Sequence, residues 1–210
     1  MSETCNVCEK PVELCVCEKI GSLENKIDVL ILRHPQEQDR ILGTAKIVNL
    51  QLKNSSVKTG LSWANLEKAL GYKLDSKKVG VLYLGTAKTK EALPPNILTA
   101  ISKKGTMLDN QEGILNQLKC IILLDGNWSQ AKALWWRNPW LLKCQRLVLQ
   151  PPRLSFYGRL RKEPRKESVS TIEAVAYTLA VLENDMSLIE KILPPFHLLL
   201  EKVKNRTKNV

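Results

Sequence analysis

The chain has 210 residues, a formal net charge of +11 at pH 7 and an isoelectric point of about 9.4. This length suits one substantial domain with a small appendage, and the basic excess favours a polyanionic partner, nucleic acid before a membrane. No apolar run is long enough to span a bilayer and the N-terminus lacks the apolar core of a signal peptide, so we expect a cytoplasmic protein in which disulfides are uncommon.

The first element is a cysteine cluster within residues 1–22. It has the pattern CxxC followed by CxC and consists of Cys5, Cys8, Cys15 and Cys17. Thiolates this close in sequence can surround one tetrahedral zinc ion. The segment has few apolar residues, so metal binding would supply its folding free energy. A redox pair and a chance clustering are the alternatives, and we expect the remaining cysteines, Cys120 and Cys144, to be small core residues.

Apolar strands alternate with helical segments over residues 23–210, which predicts an α/β domain with a mostly parallel sheet. The predicted strands are residues 27–32, 79–84, 121–124 and 147–149. The first three predicted helices run from Ile41 to Leu52, from a cap at Ser62 to a stop at Gly71, and over residues 110–118. The next two begin at Gln130 and at a capping box of Ser170 and Glu173. The last helix is interrupted at Pro194 and Pro195.

Polar residues follow several of these strands at the edge where ligands bind in open α/β sheets. Arg33 and His34 follow the first strand, where they could hold a phosphate or a base, or equally cap a turn. Gly85 and Thr86 follow the second strand. We expect them to line the same crevice as Asp125, which follows the third.

The segment from Asp125 to Ser129 is the main candidate site. A carboxylate comes directly after a buried strand, Gly126 allows a sharp turn, and Trp128 adds a large aromatic ring. Such a position favours a raised carboxylate pKa and a role as general base. The alternative is an Asx-type turn that caps the next helix, with a core tryptophan behind it.

Residues 150–168 form a long basic loop before the helix that starts at Ser170. It interleaves Phe156 and Tyr157 with Arg153, Arg159, Arg161, Lys162, Arg165 and Lys166. Basic and aromatic side chains together suit a phosphate backbone and unstacked bases, and the alternative is a solvated charge run. The helix start at Ser170 and Thr171 can bind a ligand carboxylate, unless its capping box is purely structural.

The combination of motifs resembles the DTW-domain family, the tRNA-uridine aminocarboxypropyltransferases. The motifs, in chain order, are the cysteine pattern, Arg33-His34-Pro35-x-Glu37, Leu124-Asp125-Gly126-Asn127-Trp128-Ser129-Gln130-Ala131, Ser155-x-Tyr157-x3-Arg161-Lys162-x-Pro164 and Ser170-Thr171-x-Glu173-Ala174. The resemblance covers almost the whole chain. The family's Asp-x-Thr-Trp signature stands here with Asn127 in place of threonine, and asparagine keeps a hydrogen-bonding side chain.

The resemblance implies a SPOUT-like fold with a C-terminal trefoil knot. It implies S-adenosylmethionine as donor, transfer of its 3-amino-3-carboxypropyl group to N3 of a tRNA uridine, and 5′-methylthioadenosine as by-product. Asp125 would then accept the N3 proton. The donor would contact Gly85, Thr86, Trp128, Ser129, Ser170 and Thr171, and tRNA would contact Arg33, His34, Tyr157 and the basic side chains of the 150–168 loop.

Two other functions fit the same sequence. A SPOUT-type RNA methyltransferase would use the same donor and release S-adenosylhomocysteine. A zinc-containing RNA-binding protein without catalysis would bind RNA whether or not the donor or Asp125 is present.

Overall fold

A computed structural model of the chain describes residues 3–37, 41–82, 97–158, 160 and 169–208. Its centre is a six-stranded sheet of β1 (Asp28–Arg33), β2 (Ser55–Thr59), β3 (Val79–Leu82), β4 (Leu98–Ile101), β5 (Cys120–Asp125) and β6 (Gln145–Leu149). The strand order is β2-β1-β5-β3-β6-β4, and β4 at one edge pairs antiparallel with β6. The other described pairings are parallel, so the predicted α/β class with a mostly parallel sheet is confirmed.

Helices cover both faces of this sheet. They are α1 (Ala45–Gln51), α2 (Leu66–Leu70), α3 (Gln111–Asn116), α4 (Trp128–Arg137), α5 (Thr171–Leu182), α6 (Ser187–Ile192) and α7 (Pro194–Lys208). The interior residues of β1 alternate between the two faces: Val29 and Ile31 pack under α1, α5, α6 and α7, whereas Leu30 and Leu32 pack under α2 and α4. This alternation explains why the central strands read as unbroken apolar runs, since both of their faces are buried.

Two strands were not predicted, for a reason visible in their composition. β2 has the sequence SSVKT, and as an edge strand paired only with β1 among the described residues it leaves its polar side chains half buried or exposed. β4 precedes a turn at Gly105 and pairs antiparallel at the opposite edge. β2 is too polar to show a hydrophobic pattern, and β4 is a run of only four residues, all buried, so alternation reveals neither strand.

The start of α2 differs from the prediction. Its N-cap is Asn65, whose side chain accepts from the Lys68 amide at 2.9 Å, and not Ser62. The predicted stop is confirmed, because Gly71 adopts a left-handed conformation with φ of 94° at the C-cap. The buried positions of Cys120 and Cys144 are also as predicted.

The cysteine-rich segment, residues 3–22, packs directly onto the α/β core. Its Cys8, Leu14 and Val16 belong to the same buried cluster as β1 and β5. Lys202 of α7 donates to the Cys15 carbonyl at 2.6 Å, and the buried Lys10 donates to the carbonyls of Ile41 at 3.0 Å and Gly43 at 2.5 Å. We call this segment the Cys module; a boundary at residue 22 between it and a 23–210 domain stays a prediction.

None of the described helices has both the length and the apolar character that a membrane crossing requires.

Candidate functional site

Asp125 is where the end of the sheet meets the start of α5. It is the last residue of β5, in register with Arg33 on the neighbouring β1. Its carbonyl accepts from the His34 amide at 3.0 Å, and its Oδ1 accepts from the Thr171 hydroxyl at 2.6 Å. The sequence motifs around Arg33, Asp125 and Thr171 are far apart in the chain, and the fold brings them together.

The loop after Asp125 is a tight turn into α4. Gly126 has φ of 154°, and a Cβ placed there would lie 2.9 Å from the Cβ and Oε1 of Gln130, so the turn has no room for a side chain. Asn127 is the N-cap, and it forms a reciprocal capping box with Gln130. The interpretation of this loop as a helix cap therefore holds for Asn127, while Trp128 is half buried and Ser129 is exposed at the helix start.

The predicted capping box at α5 is confirmed and is completely buried. Glu173 has no exposed surface. Its Oε2 accepts from the Ser170 amide at 2.8 Å and from the hydroxyls of Ser170 and Ser155 at 2.6 and 2.7 Å, and its Oε1 accepts from the Phe156 amide at 2.9 Å. The Ser170 hydroxyl is thus committed to the cap, which is the structural alternative for this residue.

The amides at the start of α5 are also largely occupied. Those of Ser170 and Glu173 bond within the capping box, and that of Ile172 donates to the Thr44 hydroxyl at 3.1 Å. A ligand carboxylate would therefore find fewer donors here than the sequence suggested. Of the two predicted donor-binding residues in this motif, Thr171 is the one whose side chain faces Asp125.

A cavity of about 750 Å³ opens beside Asp125. Arg33, Thr59 and Asp125, at the carboxyl ends of β1, β2 and β5, line one side. Thr4, Cys8 and Glu9 of the Cys module line the other. Lys46 and Glu37 complete the rim, so the cavity holds charges of both signs. Its volume is within the range of small-ligand sites.

Of the predicted RNA contacts, Arg33 lies in this cavity and two others are buried elsewhere. His34 is only 6% exposed and its Nδ1 accepts from the Gln36 amide at 3.1 Å, so it supports a turn, the alternative for this residue. Tyr157 is 2% exposed, donates to the Leu42 carbonyl at 2.7 Å and packs edge-on against Phe196. Contrary to the prediction, its ring is not available to stack on RNA bases.

Arg153 is exposed, and its guanidinium lies 5.3 Å from the centre of the Phe156 ring. The other predicted contacts of the basic loop, Arg159, Arg161, Lys162, Arg165 and Lys166, fall outside the described residues, as do Gly85 and Thr86 on the donor side. Their roles stay predictions.

The four thiols of the Cys module form a compact cluster. Their sulfurs all lie within 4.8 Å of one another, with Cys5–Cys17, Cys8–Cys15 and Cys5–Cys15 separations of 3.7, 3.8 and 3.6 Å. Sulfurs bound to zinc at about 2.3 Å in a tetrahedron are about 3.8 Å apart, so the cluster fits the ion. The amides of Cys8 and Val7 lower the pKa of Cys5 to about 6, whereas burial raises the pKa of Cys17, so the four thiols are not equally ready to ionise.

An ion pair at the cavity was not predicted from the sequence. Lys46 lies in α1 and Glu9 in the Cys module, and they form an ion pair at 3.2 Å. Neither belongs to a motif, and their proximity depends on how the module packs onto the domain. Local patterns carry no signal for such a contact.

The fold and this site define an α/β protein with a cavity at the carboxyl edge of its sheet and, beside it, a cluster of four thiols that could hold a metal ion. The chain belongs to the DTW-domain family, because the DTW domain matches residues 2–204.

The chain is similar to curated proteins named tRNA-uridine aminocarboxypropyltransferase 2. It is 28% identical to the Drosophila melanogaster protein over 205 residues, which covers 93% of this chain and 72% of that protein. It is 24% identical to the protein of Macaca fascicularis and 26% identical to that of Mus musculus, covering 93% of this chain and 61% of each relative. No solved structure gives a significant match.

Proposed function

We propose that the protein is a tRNA-uridine aminocarboxypropyltransferase that uses S-adenosylmethionine. Membership of the DTW-domain family and the names of its relatives support the class of enzyme. The observation that carries the proposal is the position of Asp125, which ends a central strand, accepts a hydrogen bond from Thr171 and lines a cavity.

Asp125 is the proposed general base. N3 of uridine is a weakly acidic imide and becomes nucleophilic when its proton is removed. In the proposed step the proton goes to Asp125 as N3 bonds to the terminal carbon of the aminocarboxypropyl group and the carbon–sulfur bond breaks, its electron pair staying on sulfur. The donor supplies a carbon activated by its sulfonium, so the remaining contribution of the protein is alignment.

The proposed donor site lies around Thr171, Trp128 and Ser129, with Gly85 and Thr86 completing it. The Thr171 hydroxyl donates to Asp125 Oδ1 at 2.6 Å and so orients the carboxylate. Helix α4 begins three residues after Asp125, at Trp128. A negative charge beside a helix N-terminus suits a ligand that carries both a cation and a carboxylate.

The remaining parts of the proposal rest on the family resemblance and on composition. They are a SPOUT-like topology with a C-terminal trefoil knot, a structural zinc ion in the Cys module, and a cytoplasmic location. Binding of tRNA through Arg153 and the basic loop is supported by the net charge of +11.

Mass spectrometry of a transfer reaction tests the function. Protein, S-adenosylmethionine and unmodified tRNA are incubated, and nucleosides and small products are analysed. We expect 3-(3-amino-3-carboxypropyl)uridine and methylthioadenosine in equal amounts. Formation of S-adenosylhomocysteine and a methylated nucleoside would instead identify a methyltransferase, and binding of tRNA without any product would identify a non-catalytic binder.

Asp125→Asn tests the base. The substitution keeps size and removes the basic carboxylate, so we expect single-turnover transfer to slow by roughly 10²- to 10⁴-fold with tRNA binding nearly intact. Asp109→Asn, at an exposed aspartate outside the cavity lining, is the matched control and should keep the wild-type rate. A folded Asp125→Asn variant with close to wild-type transfer would show that another group takes the proton.

Metal analysis tests the zinc ion. Protein purified without added zinc should carry one equivalent, and Cys5→Ser with Cys8→Ser should remove it, because two of the four ligands are lost. The control replaces two cysteines outside the cluster, Cys120→Ala with Cys144→Ala, and should keep the metal. Zinc retained by the first double variant would contradict the assignment.

A further inference from the structure

The cavity beside Asp125 has two walls of different origin. One wall consists of strand ends of the sheet, and the other includes Thr4, Cys8, Glu9 and Lys10 of the Cys module. Cys8 belongs to both the metal-binding cluster and the cavity lining. The module is therefore in a position to contact whatever occupies the cavity.

Strand order indicates which reactant this cavity takes. It lies over the ends of β2, β1 and β5. β3, which precedes the proposed donor residues Gly85 and Thr86 in sequence, lies on the opposite side of β5. Two reactants have to meet at Asp125 from different directions. The β1 side is thus left for the acceptor, a uridine of single-stranded or locally opened RNA.

The charged groups of the cavity suit such an acceptor. Arg33 is fixed by a bond from its Nε to the Thr59 hydroxyl at 3.1 Å, and its terminal N–H groups are donors for a uracil carbonyl. The Lys46 ammonium reaches the rim, where its side chain is 34% exposed. Lys10 is different, because its ammonium is buried against the carbonyls of Ile41 and Gly43. Of the two lysines that line the cavity, Lys46 is therefore the one that can bind a phosphate.

Glu9 is the present partner of Lys46, and its side chain is 54% exposed. Such partly exposed pairs contribute little to stability, so a phosphate can displace Glu9 at small cost. A carboxylate next to a phosphate-binding lysine also opposes the incoming anion. The two residues of this pair should consequently act on RNA binding in opposite directions.

We propose that this cavity receives the target uridine, that Lys46 binds a flanking phosphate, and that the Cys module forms the outer wall and tunes Lys46 through Glu9. The proposal rests on the proposed function for the identity of the base. The module is then part of the RNA-binding site itself and not only a structural appendage.

Binding of a fluorescein-labelled pentauridylate, measured by anisotropy at several salt concentrations, tests this arrangement. Lys46→Gln should raise the Kd about tenfold and reduce the salt slope by about 0.7, because one phosphate contact is lost. Glu9→Gln should lower the Kd by about threefold, because Lys46 is freed from its partner. The exposed pair of Lys53 and Glu24, outside the cavity lining, provides matched controls: Lys53→Gln and Glu24→Gln should change the Kd by less than about twofold.

Opposite effects of the two substitutions would not arise from a pair that is merely structural. If Lys46→Gln changes the Kd no more than Lys53→Gln, or if Glu9→Gln weakens binding as Lys46→Gln does, the proposal is overturned. The zinc content and the thermal unfolding temperature of each variant, measured beside the wild type, verify that the Cys module is still folded.

The same variants separate this proposal from the proposed function. In one outcome the wild-type protein modifies tRNA, and Lys46→Gln binds pentauridylate and modifies tRNA as well as the wild type does. That outcome supports the proposed transferase and contradicts the assignment of the cavity to the uridine. In the other outcome pentauridylate binding depends on Lys46, but the protein yields no methylthioadenosine with tRNA. That outcome supports the RNA-binding role of the cavity and contradicts the proposed transferase activity.

Discussion

The helix starts at α4 and α5 both lie beside Asp125, both use a capping box, and they are built differently. The α4 box pairs an exposed Asn127 with Gln130. The α5 box pairs Ser170 with a fully buried Glu173, which also binds Ser155 and Phe156. Within the described part of the chain the α4 cap bonds inside its own helix, whereas the α5 cap also anchors the described start of the basic loop.

This difference separates structural from functional residues in two motifs that look alike in sequence. The α5 cap is closed, and the residue it offers to the site is Thr171, which points at Asp125. The α4 cap faces solvent and can adapt to a ligand. The substitution of Asn127 for the family's threonine falls at this exposed cap, where either side chain can accept from the helix amides.

The largest effect should come from the buried cap. Glu173→Gln removes a carboxylate that accepts four hydrogen bonds and turns amide hydrogens toward donors, so we expect the free energy of unfolding to fall by about 3 kcal/mol. Urea unfolding followed by tryptophan fluorescence measures it. Gln130→Ala, the corresponding change in the exposed box, should cost less than about 1 kcal/mol. Equal costs would show that burial does not distinguish the two caps.

A smaller effect is expected at the link between α5 and the carboxylate. Thr171→Val removes the hydroxyl that donates to Asp125 Oδ1, and we expect transfer to slow about tenfold with stability nearly unchanged. The pH–rate profile should also move to higher pH. A hydrogen bond to a carboxylate favours its charged form, so losing the bond makes the base harder to deprotonate. Thr171→Ser should restore both rate and profile. If Thr171→Val slows transfer but leaves the pH–rate profile in place, Thr171 does not act through Asp125.

The smallest effects belong to the exposed cap. Asn127→Ala should destabilise the protein by about 1 kcal/mol, since the Gln130 amide loses its acceptor. Asn127→Thr should cost only a few tenths of a kcal/mol and leave transfer close to wild type. Calorimetry and the transfer assay measure the two quantities. A large loss of transfer in the threonine variant would mean that Asn127 contacts a reactant directly.

Much of the fold could be predicted because its signals are local. The apolar run before Asp125, the serine and glutamate of the α5 cap and the left-handed Gly71 each depend on residues within a few positions. β2 escaped prediction because an edge strand such as SSVKT buries too little surface to show alternation, and β4 because its four residues are all buried and form a run too short to stand out.

The candidate site was predictable in part. The resemblance and the strand-end position both indicated Asp125, and its proximity to Arg33 follows from the parallel register of β1 and β5. The burial of Tyr157 was not predictable, because its ring packs against Phe196 and bonds to Leu42, both distant in sequence. The wall formed by Glu9 depends on the same kind of long-range packing.

The contacts between the Cys module and α7 affect how the protein folds during its synthesis. Lys202 bonds to the Cys15 carbonyl across 187 positions of the chain, and Arg206 bonds to Glu13 across 193. During translation the module leaves the ribosome before α7 does, so its four thiols are available to a metal ion before α7 can pack against them. A chain truncated before Lys202 would lack part of the surface on which the Cys module packs, and such chains should be degraded more readily.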